Sequence, residues 1–371
     1  MGRVLGLIFA NMHDNTVTDL TKARTMGSIL FAGRYRLIDF TLSNMVNSGL
    51  SEVGVITKAN YQSLLDHLGS AREWDLSRKK GGLHILPPFG HIETGLYRGR
   101  IEALYGALSF IRSSLTDYVI MSDCDVITNF DYRPLVKSHI KSGADITIAT
   151  STDCFSAELI KESNVLSVNP DGKITDILIS PKISGNCTLS LNTYVMNKKL
   201  LVELITDCIA RSQYSFERDI LQAKVGTLNI HAYDYAWYYS KIHSMKSYFE
   251  ANMELLNSAT AKRLFLPKRP IYTKVRDNAP SRYGLNSMVK NSLVADGCVI
   301  EGVVENSILF RGVKVGKGAV IRDSIIMQDT AVGAGAELSY VITDKNVKIA
   351  ENRTLTGADG YPTYIAKFAV V

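Results

Sequence analysis

A short sequence period in the C-terminal part of the chain restricts its fold more than any other feature. Apolar residues recur there about every six positions, with glycine or aspartate at the intervening turns. The apolar positions are Val294, Val299, Val303, Ile308, Val313, Val320, Ile325 and Val332. This period predicts a left-handed parallel β-helix, because each turn of such a helix stacks its apolar corner on the next turn. A generic β-sandwich is the alternative that the pattern leaves open.

The rest of the chain alternates short β-rich runs with amphipathic stretches, which predicts an α/β domain with a largely parallel sheet. The strand candidates are Val4–Phe9, Val53–Thr57, Tyr118–Ser122 and Ile146–Thr150, and the helix candidates are Tyr35–Asn47 and Ile101–Ser113. Ligands of such sheets bind beyond the carboxyl ends of the strands, so we expect the site in the loops after Phe9 and Ser122. A basic segment with three prolines, 265–284, is predicted to link this domain, 1–264, to the β-helix, 285–371.

Composition excludes several classes of protein. The mean hydropathy is +0.03, and no run approaches the ~20 apolar residues that a membrane span requires. The net charge of +6 is not concentrated in a Lys/Arg run with interleaved aromatic residues, which argues against nucleic-acid binding. The five cysteines form no C-x-x-C pair, which favours a reducing cytoplasm. Small anions such as sugar phosphates remain as expected ligands.

Four longer segments resemble a known family. They are "FAGRYRLIDFTLSNMVNSGL" from Phe31, "GLYRGRIEAL" from Gly95, "SYFEANMELL" from Ser247 and "RPIYT" from Arg269. These segments are similar to bacterial ADP-glucose pyrophosphorylase, or glucose-1-phosphate adenylyltransferase, which makes ADP-glucose from ATP and glucose 1-phosphate for glycogen synthesis. The resemblance implies a nucleotidyltransferase domain with a mixed sheet of the Rossmann-like, GT-A type, followed by a left-handed β-helix. This architecture agrees with the two sequence patterns.

The chain departs from catalytic members of that family at the phosphate-binding loop, which in them reads like G-G-R-G-x-R-L followed by R-A-K-P-A. Glycines there let backbone amides approach the ATP phosphates, and the arginine and lysine neutralise charge. Aligned on "DLT" (Asp19 to Thr21), this chain has Asn11, Met12 and Asp14 at the glycines, His13 and Thr16 at the arginines, and Met26 at the lysine. A carboxylate 4 Å from a phosphate charge costs about 4 kcal/mol at an effective dielectric constant near 20. We therefore expect no normal ATP binding.

The metal and sugar positions are also changed. Asp125 matches the first metal-binding aspartate of the family if one extra residue is allowed, but Lys241 stands at the second, where it is expected to fill the cation site. Ser180 replaces the lysine that contacts the sugar phosphate, and Asn192 replaces a glycine. The resemblance thus implies a degenerate active site, with only a vestigial Asp125 and no metal or cofactor in this subunit.

Basic residues beside the loop are the candidates for binding anionic effectors. Lys22, Arg24, Arg34 and Arg36 lie in or next to a segment that contributes to effector pockets in the family. Solvated surface charge is the alternative interpretation. Arg100 and Glu102, which replace a threonine and an aspartate of catalytic members, are expected to pair with each other.

The matching framework segments and the altered site together resemble the degenerate, GlgD-type paralogues of the family. This resemblance implies a largely non-catalytic regulatory or assembly subunit. Its partner would be a catalytic, magnesium-dependent pyrophosphorylase subunit, in a hetero-oligomer that the family suggests is a tetramer. Two alternatives stay open: a weakly active pyrophosphorylase, and a stand-alone sensor of a phosphorylated metabolite.

Overall fold

A computed structural model describes residues 3–88 and 97–371. His91 and the first two residues of the "GLYRGRIEAL" segment lie outside this part. The N-terminal domain is built on a nine-stranded mixed sheet. Its strands are β1 (Val4–Phe9), β4 (Glu52–Ile56), β5 (Gly82–Leu86), β6 (Tyr118–Asp123), β8 (Ile146–Phe155), β9 (Asn164–Val168), β10 (Ile174–Ile179), β11 (Gly185–Asn197) and β12 (Ile230–Asp234). There are also two two-stranded sheets. In one, β2 (Leu30–Phe31) pairs with β3 (Tyr35–Arg36), and in the other, β7 (Val126–Thr128) pairs with β13 (Tyr239–Lys241).

The sheet follows the order β10-β9-β11-β6-β1-β4-β5, and β8 pairs with both β11 and β12. Strands β6, β1, β4 and β5 are parallel, as are β8 and β12. The long strand β11 runs antiparallel to β6, β8 and β9, so the sheet is mixed rather than largely parallel. Alternate residues of β1 pack into different cores on the two faces, for example Leu7 and Ile8, because a central parallel strand is covered on both sides.

Helices cover both faces of this sheet. They are α1 (Thr18–Thr21), α2 (Leu37–Asn47), α3 (Gln62–Leu68), α4 (Arg100–Gly106), α5 (Leu108–Ser113), α6 (Tyr132–Ser142), α7 (Ala157–Lys161), α8 (Lys198–Ala210), α9 (Met245–Met253) and α10 (Ser258–Leu264). Short 3₁₀ helices lie at Met26–Ser28, Arg72–Trp74 and Glu254–Leu256, and a π-helix at Phe216–Gln222. The single helix expected over 101–113 is two helices, because Ala107 leaves the helical conformation between them (φ −92°, ψ 4°). No helix of the described residues is long and apolar enough to cross a bilayer.

The C-terminal domain is the predicted left-handed parallel β-helix, with three five-stranded parallel sheets as its faces. The first face contains β14 (Arg282–Tyr283), β17 (Val299–Ile300), β20 (Lys314–Val315), β23 (Ala331–Val332) and β26 (Lys348–Ile349). The second contains β15 (Met288–Lys290), β18 (Val303–Glu305), β21 (Val320–Arg322), β24 (Glu337–Ser339) and β27 (Thr354–Thr356). The third contains β16 (Leu293–Val294), β19 (Ile308–Leu309), β22 (Ile325–Ile326), β25 (Val341–Thr343) and β28 (Thr363–Ile365).

Each coil of this β-helix turns a corner at a residue in the left-handed conformation, for example Asn306 (φ 45°) and Asp323 (φ 45°). Asparagine and aspartate tolerate that conformation better than other non-glycine residues, which explains their place at the turns. Apolar side chains fill the interior. The first strand of the β-helix, Arg282–Tyr283, lies inside the segment predicted as the linker, and it pairs with Val299–Ile300.

Candidate functional site

The candidate site lies at the carboxyl ends of β1 and β6, where the sequence places it. Phe9, the last residue of β1, is in register with Asp123, the last residue of β6. The neighbours of β1 are β4 on one side and β6 on the other, so the loops that follow these strands diverge here and leave a crevice between them.

Arg100, the first residue of α4, is buried beside Asp123 at the carboxyl end of β6. Its Nη1 and Nη2 donate to the two carboxylate oxygens of Asp123 at 2.6 and 2.8 Å, and its Nε donates to Glu217 Oε1 at 3.0 Å. The guanidinium lies 4.4 Å from the centre of the Phe9 ring. This arrangement holds the pKa of Asp123 well below its usual value: burial opposes ionisation, but the Arg100 charge and its hydrogen bonds outweigh burial.

The expected pairing of Arg100 with Glu102 is therefore wrong. Glu102 accepts instead from Arg98, whose Nη2 lies 2.9 Å from its Oε1. The two side chains belong to one short helix but diverge, since Arg100 reaches into the crevice toward Asp123 while Glu102 folds back on the preceding turn. Sequence reasoning missed Asp123 because the match with the family was made at Asp125, with one extra residue allowed before it. Nothing in the order of residues along the chain indicates that Arg100 is the partner of Asp123.

His13 joins this cluster from the loop after β1. Its Nε2 lies 2.8 Å from Asp123 Oδ2 and 3.5 Å from Asp125 Oδ2. Burial alone would lower the pKa of His13, but the charges of Asp125 and Asp123 outweigh it and raise that pKa above its usual value. The two carboxylates thus favour the cationic form of the imidazole.

Lys241 and Asn192 complete the cluster around Asp125. Lys241 Nζ lies 3.9 Å from Asp125 Oδ2 and donates to the Glu162 carbonyl and to Ser163 Oγ, both at 2.9 Å. Burial lowers the pKa of Lys241, and the carboxylates of Asp125 and Asp123 partly offset this effect. Asn192 Nδ2 donates to Asp125 Oδ2 at 3.0 Å from a left-handed backbone (φ 52°), the conformation that a glycine would adopt most easily.

A magnesium ion, which the family resemblance implies for a catalytic member, does not fit these residues. His13, Asp123 and Asp125 each offer a ligand atom within 4.8 Å of the others, and Asp125 Oδ1 has no hydrogen-bond partner among the described residues. However, both oxygens of Asp123 are bound by Arg100, and the Lys241 ammonium faces Asp125. Mg²⁺ requires several oxygen ligands and would have to displace these cations. The protein's own positive charges neutralise the carboxylates.

The loop segment 11–26 is closed by its own side chains. Asp14 Oδ1 accepts from the backbone N–H of Met26 at 2.7 Å, and Thr21 Oγ1 donates to the Asp14 carbonyl at 2.6 Å. Burial raises the pKa of Asp14 to about 7. Thr16 Oγ1 donates to the His13 carbonyl at 2.8 Å. The sequence predicts that the Asp14 carboxylate repels phosphate. In the structure its raised pKa reduces its negative charge at neutral pH, and the carboxylate stabilises the loop by binding the Met26 N–H.

A cavity of about 700 Å³ opens beside this loop. Asn11, Met12, Asp14 and Lys22 line it from the loop segment, opposite residues that follow β4. Ser180, at the position of the family's sugar-phosphate lysine, is exposed directly after β10. Its backbone N–H donates to the Ser163 carbonyl at 3.0 Å, which places it next to the residues that hold Lys241.

The four candidate effector residues separate into different environments. Lys22 is exposed at the cavity, whereas Arg24 is buried against the β-helix, where its Nη2 donates to both oxygens of Asp344 at 2.8 and 2.7 Å. Arg34 and Arg36 line a cleft between the two domains. Three further cations in this cleft come from the linker and the β-helix, and the sequence did not indicate them: Lys274, Arg276 and Arg311.

These five residues, Arg34, Arg36, Lys274, Arg276 and Arg311, form what we call the interdomain cation cluster. The pKa of Arg36 is lowered to about 10, mainly by burial: Asp39 opposes this shift, and the charges of Arg24 and Arg276 add to it. Lys345 lies nearby, and burial followed by the charges of Arg36 and Arg24 lowers its pKa to about 7. Burial is the largest cause of both pKa shifts, and neighbouring positive charges add to it, so the cleft lined by these cations is electropositive.

Comparison with known proteins agrees with the two-domain architecture. A family model described as nucleotidyl transferase matches residues 15–258, and one described as GlmU-like, C-terminal hexapeptide matches residues 276–361. The glycogen biosynthesis protein GlgD of Bacillus subtilis is 37% identical over 98% of this chain and 96% of its own length. The glucose-1-phosphate adenylyltransferase of Fervidobacterium nodosum is 32% identical over 100% of this chain and 87% of its own length. That of Pseudothermotoga lettingae is 35% identical over 86% and 77%.

Proposed function

Because this chain belongs to the nucleotidyl transferase family that includes glucose-1-phosphate adenylyltransferases and GlgD glycogen biosynthesis proteins, we propose that it is a regulatory or assembly subunit in bacterial glycogen synthesis. In this proposal it works in the cytoplasm, has little or no adenylyltransferase activity alone, and needs no cofactor of its own. It pairs with a catalytic, magnesium-dependent glucose-1-phosphate adenylyltransferase subunit in a hetero-oligomer, for which the family resemblance suggests a tetramer.

One observation supports this proposal above the others. Arg100 binds the carboxylate of Asp123, and the Lys241 ammonium lies next to the carboxylate of Asp125. Nucleotidyl transfer requires cations that contact the transferred phosphate and a metal that bridges its oxygens. Here the guanidinium and the ammonium are both committed to Asp123, Asp125 and backbone or hydroxyl acceptors. In the loop, the Asp14 N–H, at one of the glycine positions, donates to the Asn11 carbonyl at 3.4 Å, and the Met26 N–H, at the position of the lysine, is bound by Asp14.

The test is an ADP-glucose synthesis assay on the purified chain, on the catalytic subunit from the same organism, and on the two mixed. We expect no magnesium-dependent synthesis by the chain alone. The mixture should exceed the catalytic subunit alone in rate or in response to glycolytic phosphates, and the two chains should co-elute from a sizing column. Robust synthesis by the chain alone would support the alternative of an active enzyme, for which the His13–Asp123–Asp125 group is the observation in favour.

The interdomain cation cluster supports the regulatory part of the proposal, with an anionic metabolite as the effector. Sulfate is a suitable probe, because its charge is constant across the pH range of interest while that of phosphate is not. Trp74 provides the signal: it is buried, and it contacts His67, which lines the same cleft. A Trp237→Phe background removes the other tryptophan, which is 74% exposed.

We predict that sulfate binds more weakly as the pH rises from 6 to 8. Lys345, whose pKa is lowered to about 7, loses its proton in this interval, and the surroundings of Arg36 lose a positive charge. Titrations of Trp74 fluorescence should show a several-fold loss of affinity, equivalent to about 1 kcal/mol. In a Lys345→Met variant the affinity at pH 6 should already be low and the slope should be absent; an unchanged slope would show that another group titrates.

A further inference from the structure

Lys345 carries a side-chain amine that has no counter-ion. The residue follows Asp344, directly after β25, and is half-buried. Its backbone is fixed at both groups, since the N–H donates to Asp344 Oδ1 at 2.6 Å and the carbonyl accepts from the Phe368 N–H at 3.2 Å. Its Nζ makes no hydrogen bond or ion pair with any residue of 3–88 and 97–371. The amine is therefore held in place by the backbone alone.

The adjacent carboxylate is already used by other groups. Arg24 Nη2 donates to both oxygens of Asp344, and Tyr364 Oη donates to Asp344 Oδ2 at 2.9 Å. The side chains of Arg24 and Asp344 are only 2% and 3% exposed, so water screens this pair little. Asp344 thus neutralises Arg24, and little of its negative charge remains for the neighbouring lysine.

Cations from both domains surround the Lys345 amine. Arg24 and Arg36 come from the N-terminal domain, and Lys367 comes from the end of the β-helix. Burial lowers the pKa of Lys345 to about 7; the charges of Arg36, Arg24 and Lys367 add to this shift, and Asp344 opposes it. At pH 7.5 the fraction of uncharged amine is on the order of 10³ times that of an unshifted lysine. An uncharged lysine beside cations is a nucleophile.

The charge of the product decides which electrophile suits this amine. Reaction with CO₂ gives a carbamate anion, which the cations that disfavour the ammonium would stabilise. A Schiff base or an amide carries no negative charge and gains nothing from these cations. Arg24 Nη1 is buried and has no hydrogen-bond partner in the described part of the chain, so this region also lacks an acceptor. A carbamate supplies both a negative charge and acceptor oxygens.

We propose that Lys345 is a modification site for dissolved CO₂, with its carbamate stabilised by the surrounding cations. The Nζ lone pair attacks the carbon of CO₂ and forms a C–N bond. One C–O π bond opens to give the carboxylate, and Nζ releases a proton to solvent. No oxidant or reductant takes part, and the reaction reverses when CO₂ is withdrawn. A negative charge then stands where the amine was neutral or positive, whether or not the chain has the proposed function.

Trapping with triethyloxonium tests this inference on the full chain, because the reagent ethylates a carbamate and makes it stable. The protein is equilibrated with dissolved CO₂ at pH 7.5 and trapped, and mass spectrometry of the digested protein locates the ethyl carbamate. We expect it on Lys345 and not on Lys348, an exposed lysine of the same β-helix that serves as the internal control. Lys345→Arg, which keeps the charge but has no such amine, should lose the adduct.

Two charge reversals test the role of the surrounding cations. Lys367→Glu replaces an exposed cation that acts on Lys345 and should lower the adduct yield several-fold. Lys317→Glu makes the same change at another exposed position of the β-helix and should leave the yield unchanged. The proposal is overturned by the lack of an adduct on Lys345, by equal labelling of Lys348, or by equal yields in the two glutamate variants.

Discussion

Replacing Arg100 with alanine is expected to lower the free energy of unfolding by about 3–5 kcal/mol. The substitution leaves Asp123, which is 1% exposed, with an uncompensated charge apart from His13. It also removes the contact of the guanidinium with the Phe9 ring and its bond to Glu217. Urea denaturation followed by circular dichroism measures this loss, and the midpoint should shift with little change in slope.

Arg98→Ala is the matched control, two residues away on the same turn. The Arg98 side chain is 62% exposed and its bond with Glu102 is a surface ion pair, so the loss should be much smaller than that of Arg100→Ala. Arg100→Met combined with Asp123→Leu should recover much of the stability, since neither charge is then left buried alone. Equal losses for Arg100→Ala and Arg98→Ala would show that the buried cluster does not stabilise the fold.

Replacing Lys241 with aspartate is expected to raise the affinity for Mg²⁺ or Mn²⁺ by on the order of tenfold or more. The change reverses the charge at a position 3.9 Å from Asp125 Oδ2, and a single unit charge at that separation is worth about 4 kcal/mol at an effective dielectric constant of 20. Part of this energy is lost because Arg100 keeps both oxygens of Asp123. Titration calorimetry with each metal measures the gain.

Lys241→Met separates the removal of the ammonium from the addition of a ligand. It should give a smaller gain than Lys241→Asp, and the Glu162 carbonyl and Ser163 Oγ lose a donor in both variants. The order of affinities should therefore be aspartate above methionine above lysine. If the three proteins bind Mg²⁺ equally, Lys241 does not control metal access to the crevice.

The sequence predicted the fold of the β-helix domain more completely than that of the N-terminal domain. The six-residue period predicted the β-helix because its corners repeat along the sequence and each apolar position has the same environment. In the N-terminal domain the strand positions were predictable from apolar runs, but the antiparallel insertion of β11 was not, since pairing partners are set by tertiary contacts. The break at Ala107 directly follows Gly106, whose low helix propensity was not used in predicting one helix over 101–113.

The residues of the candidate site were likewise only partly predictable from the sequence. Asn11, Asp14, Asn192 and Lys241 were found by their departure from a known motif, and the structure brings His13, Asn192 and Lys241 around Asp125. The partner of Arg100 could not be found in this way, because a residue 23 positions away supplies it. Likewise, the sequence grouped Arg24 with Arg34, but only the folded chain shows that Arg24 forms a buried ion pair whereas Arg34 lines the cationic cleft between the domains.

The bidentate pair of Arg100 with Asp123 limits the substitutions that this chain can accept. Because both charges are buried against each other, a single substitution of either residue leaves the other unpaired and lowers stability. A neutral route to a different crevice therefore has to change both positions together. If the proposed non-catalytic role is correct, the pair makes that role difficult to reverse one residue at a time.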